Sequence, residues 1–577
     1  MPKNFNNRIK QRFIVVQILI VVSIFLLGAK SFDIQIFKAK DLAEKAENGY
    51  SRYITIKGER GQIFDRNMNE LATSSDAISI TANPSNIKDP GSAAKKLSKI
   101  LGINRKKLQD TLSSKRMFAC VAKSISPDQA EQIKGLNLEG IYFENDSKRF
   151  YPNRNLSAQV LGFTGTDNSG LEGLEYKYNS VLEGSSLKIR VKKDGNGGIL
   201  ELGKEKRAGL KGKSIVLTLD KKIQFLSEQI LEKTVEAHQA KSGIALVMRP
   251  QTGELLSIAH FPQFNPNNFK RYNNIAFRNR AVTDAFEPGS AMKVFTAAAA
   301  LENGFGPKSI FFCENGTYKI GAFTIHDTHP YDWLSMNEII KFSSNIGVTK
   351  IGATIGDKAL HNYLTAFGFG NKTQIECPGE TTGSLSPYQK WSKIDAGAIS
   401  FGQGVSVSAI QLISGISAIA NNGVLMKPLL IKKIMSSNGE ELEVYHPEKI
   451  RQVISSKSAQ QVKRMMRLAV ENQGTGTKAA IVGYTVCGKT GTAQKAMENG
   501  KGYSKGNYIS IFTGFAPEDN PELAILVAID EPRKQYYGGD VAAPAFKTIM
   551  TESFNYLNIP PENNEHMMAL LSPGEKN

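Results

Sequence analysis

From Phe13 to Ala29 the chain runs seventeen residues with only Gln17 and Ser23 polar. That is the short end of what a helix needs to cross a bilayer. Lys30 closes the run, and its long side chain can reach back to the interface. Residues 1–12 carry Lys3, Arg8, Lys10 and Arg12 and no acid. A basic flank on the N-terminal side keeps that end in the cytoplasm and sends the following chain across. A cleaved signal peptide is the competing reading. Cleavage after Ala29 would put Leu27 where a small residue is preferred, so a retained anchor is favoured. The first cysteine is Cys120, which argues against a lipoprotein. Residues 31–577 are therefore expected outside the membrane, where ATP chemistry is not on offer.

Chemistry out there must run on what the chain itself carries. At 41% hydrophobic and 22% charged residues, large cores are possible. The formal charge of +18, from 72 basic and 54 acidic residues, suits an anionic neighbour such as membrane lipid or an acidic polymer. No Cys/His metal pattern and no aromatic–basic signature of RNA binding is present, so neither a metal nor nucleic acid is expected. Cys120, Cys313, Cys377 and Cys487 are far apart and form no CxxC, so no disulfide framework is expected.

Composition divides the remainder near residue 215. Residues 31–60 begin with a mix that can continue the helix outward and end in the β-rich Tyr53-Ile54-Thr55-Ile56. Arg60-Gly61-Gln62-Ile63-Phe64-Asp65-Arg66-Asn67 is a charged turn, residues 85–135 are lysine-rich with helical spacing, and Arg149 to Glu175 is turn-dense. Residues 192–213, rich in Gly and Lys, read as a loop or hairpin near a domain border. From Ile215 the pattern changes. Thr218 or Asp220 can cap a helix over Lys221 to Ala237 with Ile223, Leu226, Ile230 and Leu231 as its stripe. Ile244–Met248, the turn Pro250–Gly253 and Leu255–Ala259 predict a hairpin, and Tyr484–Cys487, Tyr508–Phe512 and Leu523–Ile529 predict three late strands. Two strands first, helices between and three strands last imply an α+β domain, an antiparallel sheet with helices on both faces. Residues 560–577 are polar and are expected to be a loose tail.

Three short patterns carry possible chemistry. Pro288-Gly289 stops the preceding segment, and Ser290 opens an almost wholly apolar helix ending near Asn303-Gly304. On it Ser290 and Lys293 share a face at i and i+3. A serine needs a neighbour to take its proton, and a lysine can do so once burial or a nearby cation lowers its pKa. Ser335 to Glu338 is a capping box, so a helix should run to Phe342 and place Ser343 and Asn345 at a helix–helix junction. Lys489-Thr490-Gly491-Thr492 continues the strand from Tyr484. A lysine and two hydroxyls on a strand rim can bind a peptide carboxylate, and Gly491 lets the peptide backbone come close. Neither this stretch nor Gly474-Thr475-Gly476-Thr477-Lys478 has the glycines of a phosphate loop; the latter reads as a mobile turn.

Ser-x-x-Lys, Ser-x-Asn and Lys-Thr-Gly, in that order, resemble the penicillin-binding proteins and serine β-lactamases. Arg60-Gly61-x-Ile63-x-Asp65-Arg66, the Arg149–Glu175 section, Glu287-Pro288-Gly289-Ser290, Phe401-Gly402-Gln403-Gly404 and Gly538-Gly539-Asp540-Val541-Ala542-Ala543-Pro544 are similar to the membrane-anchored class B transpeptidases. The resemblance implies a cytoplasmic tail (1–12), a transmembrane helix (13–30), an elongated mixed α/β pedestal of the dimerisation type (31–215), a transpeptidase domain built on a five-stranded antiparallel sheet (216–559) and a tail (560–577). It implies no cofactor. The substrate would be the D-Ala-D-Ala end of a peptidoglycan stem peptide, and β-lactams would bind there too. Ser290 would be the nucleophile, Lys293 the base, Ser343 a proton relay and Asn345 an anchor. Lys489, Thr490, Gly491 and Thr492 would hold the substrate. Chain size is similar to the septal, division-specific type, and the partners implied are a membrane glycan polymerase and other division proteins. An elongation-specific transpeptidase, a carboxypeptidase or β-lactamase, and a division scaffold are the alternatives. The resemblance leaves no room for a glycosyltransferase domain or for a sensor's cytoplasmic module.

Overall fold

The computed structural model describes residues 3–192, 209–321, 323–497 and 502–562. It comprises two units, one made of Met1–Gly58 with Ser185–Leu210 and the other of Glu59–Gly184 with Lys211–Asn577.

In the first unit one helix covers Lys3–Phe32 and passes through a π-helical turn at Asp33–Phe37 into a second helix, Ala39–Tyr50. The window Asn7–Phe37 is long and apolar enough to cross a membrane, with mean hydropathy 2.5. The helix thus exceeds the apolar run at both ends, because no Pro or Gly breaks the polar residues before Phe13. Its apolar side chains are exposed from Phe13 to Leu27, as a lipid-facing surface requires. The strand Ser51–Lys57, which contains Tyr53–Ile56, pairs antiparallel with Ser186–Lys192. Most of the Gly/Lys-rich stretch expected as a loop or hairpin at 192–213 lies outside the described residues, as does most of the tail expected after 560.

In the second unit a seven-stranded sheet runs in the order Glu441–Val444, Ile431–Met435, Ser214–Leu217, Ile63–Phe64, Glu70–Ala82, Ala119–Ile125, with Ile141–Phe150 also paired to Glu70–Ala82. Ile63–Phe64 and Ser214–Leu217 run parallel. The lysine-rich residues 85–135 form three helices, Pro90–Leu101, Arg105–Leu112 and Pro127–Lys134, and also the strand Ala119–Ile125. Their buried faces meet in a small core around Ala94, Leu97, Leu108 and Ile133. The charged turn and the turn-dense section join at one buried point. Arg60 Nε and Arg149 Nε each lie 2.6 Å from a different oxygen of Glu175. Asp65 accepts from the backbone N–H groups of Asn67 and Asn69 and, at 3.0 Å, from that of Lys221, so the charged turn also holds the start of the next helix.

That helix is α1 (Lys221–Ala237), capped by Asp220. A five-stranded sheet follows, formed by β1 (Ser242–Met248), β2 (Leu255–Phe261), β3 (Cys487–Ala496), β4 (Tyr503–Ala516) and β5 (Leu523–Asp530). Their order is β3-β4-β5-β1-β2, antiparallel throughout. Both faces are covered, so the strands read as continuous apolar runs rather than alternating ones. On β1, Ile244, Leu246 and Met248 face one core, and Ala245 and Val247 face the other.

The first of these cores is filled by α2 (Lys293–Glu302), α3 (Met336–Phe342), α4 (Asn345–Ile355), α5 (Ala409–Ala420) and α6 (Ser456–Leu468), and the second by α1 and α7 (Gly538–Leu557). The buried face of α1 differs from the expected stripe: Ile223, Gln224, Ser227, Glu228, Leu231 and Val235 are buried, while Leu226 and Ile230 are only partly so. The reason is polar. Gln224 makes both a donor and an acceptor bond to the backbone of Ile258, on an edge strand whose peptide groups need partners. Burial raises the Glu228 carboxyl to about 8, and it accepts from Gln224, Gln263 and the Ser157 N–H. The late strand also starts further on than expected: Ile481 and Tyr484 form an isolated bridge across Gly483, and β3 begins at Cys487.

Candidate active site

Ser290 does not begin the α-helix directly. Gly289–Met292 forms a 3-10 turn, and α2 starts at Lys293, with every residue from Lys293 to Leu301 buried. The turn is pressed between two backbone segments. Gly289 donates to the Gly402 carbonyl at 3.1 Å, and Gly404 donates to Glu287 Oε1 at 2.9 Å. A Cβ on Gly491 would come 2.7 Å from the Pro288 carbonyl oxygen, and one on Gly289, whose φ is +53°, 2.8 Å from that of Thr492. Only glycine lets β3 lie this close to the serine's turn.

Lys293 is wholly buried and reaches the end of α3. Its Nζ donates to the Ser343 carbonyl and, at 2.7 Å, to Asn345 Oδ1, and it lies 3.2 Å from Ser343 Oγ. Ser335 and Glu338 form the expected capping box at the start of α3. At its end Ser343 sits at φ +62°, a left-handed conformation that is uncommon for a residue with a side chain and that turns the chain into α4. Asn345 Nδ2 donates to the His326 carbonyl at 2.9 Å, which fixes the amide so that its oxygen faces Lys293.

The structure adds Asp327 to this group. Its carboxylate accepts from the Ser344 hydroxyl and from the backbone N–H groups of Asn345 and Ile346, the latter at 3.1 Å. It thereby clamps the first turn of α4, where a negative charge is also favoured by the helix dipole. Nothing local marks Asp327 in the sequence, because it reaches the motif from a hairpin eighteen residues away.

Lys489 is also wholly buried and lies 2.9 Å from Ser343 Oγ and 3.3 Å from Thr490 Oγ1. Thr490 donates to Thr475 Oγ1 at 3.0 Å, so the turn read as mobile forms part of this wall. Thr492 Oγ1 accepts from the Gly538 N–H at 3.1 Å, which leaves its own O–H free to donate. Lys293, Ser343, Asn345 and Lys489 thus form one connected cluster. Ser290 is joined to it through the backbone alone, and among the described residues its hydroxyl makes no hydrogen bond. No group of three or more His, Cys, Asp or Glu side chains among the described residues is placed to hold a metal ion.

Two buried lysines this close cannot both keep a full charge. Burial pulls Lys293 well below the usual lysine range, the charge of Lys489 pulls it further, and Asp327 opposes both. Burial alone takes Lys489 to about 7. A neutral Lys293 has two N–H donors and one lone pair. The donors match the Ser343 carbonyl and Asn345 Oδ1, so the lone pair is left facing the hydroxyl side of the site, as a base requires.

The chain as a whole is similar to proteins already known. The family described as penicillin binding protein transpeptidase domain matches residues 243–551, and the one described as penicillin-binding protein dimerisation domain matches residues 55–217. The probable peptidoglycan D,D-transpeptidase PenA of Neisseria meningitidis is 36% identical over 564 residues, covering 96% of this chain and 95% of that protein. The peptidoglycan D,D-transpeptidase FtsI of Escherichia coli is 32% identical over 563 residues, 96% and 92% of the two chains. A crystal structure of penicillin binding protein 3 from Mycobacterium tuberculosis, complexed with aztreonam, superposes with a TM-score of 0.69 at 27% identity, covering 88% of this chain and 98% of that one. The chain belongs to the penicillin-binding protein transpeptidase family.

Proposed function

We infer that this chain is a membrane-anchored serine D,D-transpeptidase that joins peptidoglycan stem peptides and is acylated by β-lactams. The observation carrying this is the cluster of Lys293, Ser343, Asn345 and Lys489 beside the Ser290 turn, in a chain related along nearly its whole length to named transpeptidases.

Ser290 attacks the penultimate carbonyl while neutral Lys293 takes its proton, and D-alanine leaves with a proton relayed through Ser343. Ser343 is suited to this because its hydroxyl lies 3.2 Å from Lys293 Nζ and 2.9 Å from Lys489 Nζ, between the two amines. The N–H groups of Ser290 and Thr492 hold the oxyanion, and Lys489 with Thr490 and Thr492 holds the terminal carboxylate. In the second step an amine from a neighbouring strand takes the acyl group. Ser290→Ala should abolish covalent labelling by a fluorescent penicillin; labelling that persisted would place the nucleophile elsewhere.

Asp327 acts as a positioning residue here. Asp327→Ala strips the acceptor from the Ser344 hydroxyl and two N–H groups, at about 1–3 kcal/mol. Penicillin acylation should slow by about 10- to 100-fold. An unchanged rate would mean that α4 keeps its place without the clamp.

The N-terminus lies in the cytoplasm and the catalytic unit outside, by the basic flank of the apolar helix. Septal work in division, beside a membrane glycan polymerase, is supported by the likeness to proteins named FtsI. A tagged copy concentrated along the side wall rather than at the septum of dividing cells would overturn that assignment.

A further inference from the structure

An oxyanion hole made by the N–H groups of Ser290 and Thr492 draws its two donors from different segments, the 3-10 turn and β3. Its width is the gap between those segments. Glycines set how closely they approach, at Gly289 against Thr492 and at Gly491 against Pro288. Something else must keep the gap from opening. Among the described residues no backbone hydrogen bond joins residues 288–292 to β3.

The bond that spans the gap comes from Glu287, three residues before the nucleophile. Its Oε1 accepts from the Tyr503 hydroxyl at 3.2 Å, and Tyr503 lies on β4 opposite Ala496 of β3. The same oxygen accepts from the Gly404 N–H at 2.9 Å. The segment before the serine is held to the 402–408 stretch by further links. Gly289 donates to the Gly402 carbonyl, and Ala285 and Phe286 pair antiparallel with Ser408 and Val407. One carboxylate oxygen therefore ties the serine's segment both to the 402–404 turn and to the β3–β4 hairpin.

This is a costly place for a carboxylate. Glu287 Oε2 is buried with no partner among the described residues. Burial raises the carboxyl's pKa, and what opposes the rise is the two donors on Oε1 rather than any cation. A half-buried acid without a counter-charge destabilises a fold unless its hydrogen bonds offset the loss of water. Those two bonds are what Glu287 contributes.

We propose that Glu287 is a positioning residue for acylation: by holding Tyr503 and Gly404 on one oxygen, it keeps the serine turn and β3 at the spacing that two oxyanion donors require. It acts through the backbone of Ser290 and Thr492 and takes no part in proton transfer. The inference rests on the transpeptidase reading and adds to it the element that sets the gap.

The test is rapid-mixing acylation of the full chain in detergent by a fluorescent penicillin. Its concentration is varied so that the limiting rate separates from the half-saturating concentration, and the thermal midpoint of each variant shows that it is folded. Glu287→Ala should lower the limiting rate by about 10- to 100-fold, the scale of a misplaced reacting geometry, and change the half-saturating concentration by less than about threefold. Glu287→Gln keeps an oxygen for both donors and should restore the limiting rate to within about threefold of wild type. Tyr503→Phe should lower that rate by about 3- to 10-fold, the loss of one hydrogen bond, and should add nothing in the Glu287→Ala background. A fall confined to the half-saturating concentration would make Glu287 a ligand contact, and a rate that glutamine does not restore would make its charge the operative property. Either result overturns the proposal, as does an unchanged limiting rate in folded Glu287→Ala or in Tyr503→Phe. If Glu287→Ala does not fold, Tyr503→Phe and Glu287→Gln decide by the same criteria. A wild-type chain that the penicillin does not acylate would instead remove the transpeptidase reading itself.

Discussion

Lys293→Met is expected to slow penicillin acylation by between about 100-fold and 10,000-fold, the range supplied by a positioned general base. That corresponds to about 3–5 kcal/mol in the barrier. Methionine is close to lysine in length and suits a slot that is wholly buried. The protein gains by no longer burying an amine and loses the donors to Ser343 and Asn345, so its thermal midpoint should move little. Acylation and folding then separate, which a purely structural lysine would not allow.

The pH profile gives an independent reading. Lys293 must be neutral to act, so the wild-type acylation rate should fall as pH drops through its depressed pKa, and Lys293→Met should lack that acidic limb. Lys489 must be charged to hold a carboxylate. With the empty-site value at about 7, the rate should also fall on the alkaline side. A bound carboxylate favours the ammonium and moves this limb upward. The lysines interact, so both limbs belong to the pair rather than to either residue alone. A Lys293→Met variant that acylates at the wild-type rate would remove Lys293 from the chemistry.

The sequence was legible wherever function or folding depends on short local patterns. The helix from Lys293, the capping box at Ser335 and the hairpin of β1 and β2 all follow from neighbouring residues, and so do the three candidate motifs. What stayed hidden depends on contacts between distant segments. Gln224 and Glu228 break the apolar stripe of α1 because an edge strand needs polar partners. Asp327 bonds a helix start that it meets only after folding. Thr475 sits in a glycine-rich turn that looked mobile and is fixed by Thr490. The 3-10 start at Ser290 is set by the close passage of β3 and of Gly402, neither of them near in sequence.

Glu175→Gln is expected to destabilise the second unit by about 3–5 kcal/mol, because it leaves two buried guanidinium groups without a counter-charge. Arg60, Arg149 and Glu175 are 2%, 4% and 0% exposed, so water cannot take over the lost role. Arg149 Nη2 is buried without a partner among the described residues, but the other terminal guanidinium nitrogens are bonded elsewhere as well. Arg60 also donates to the Asn168 and Glu175 carbonyls and to Asn179 Oδ1, and Arg149 donates to the Gly61 carbonyl. These bonds orient the guanidinium groups without neutralising them, and so the charge rather than the geometry should decide the outcome. A second substitution tests this. Removing one cation as well, in Glu175→Gln with Arg149→Met, should recover part of the lost thermal stability, whereas independent packing defects would add. Because Gly61 sits beside Ile63 in the seven-stranded sheet and Asp65 holds the start of α1, loosening this point should reach the sheet that carries Lys489. Penicillin labelling of Glu175→Gln should therefore fail at a lower temperature than in wild type while remaining intact in the cold. Loss of labelling in a cold, folded variant would instead assign these residues a direct part in shaping the site.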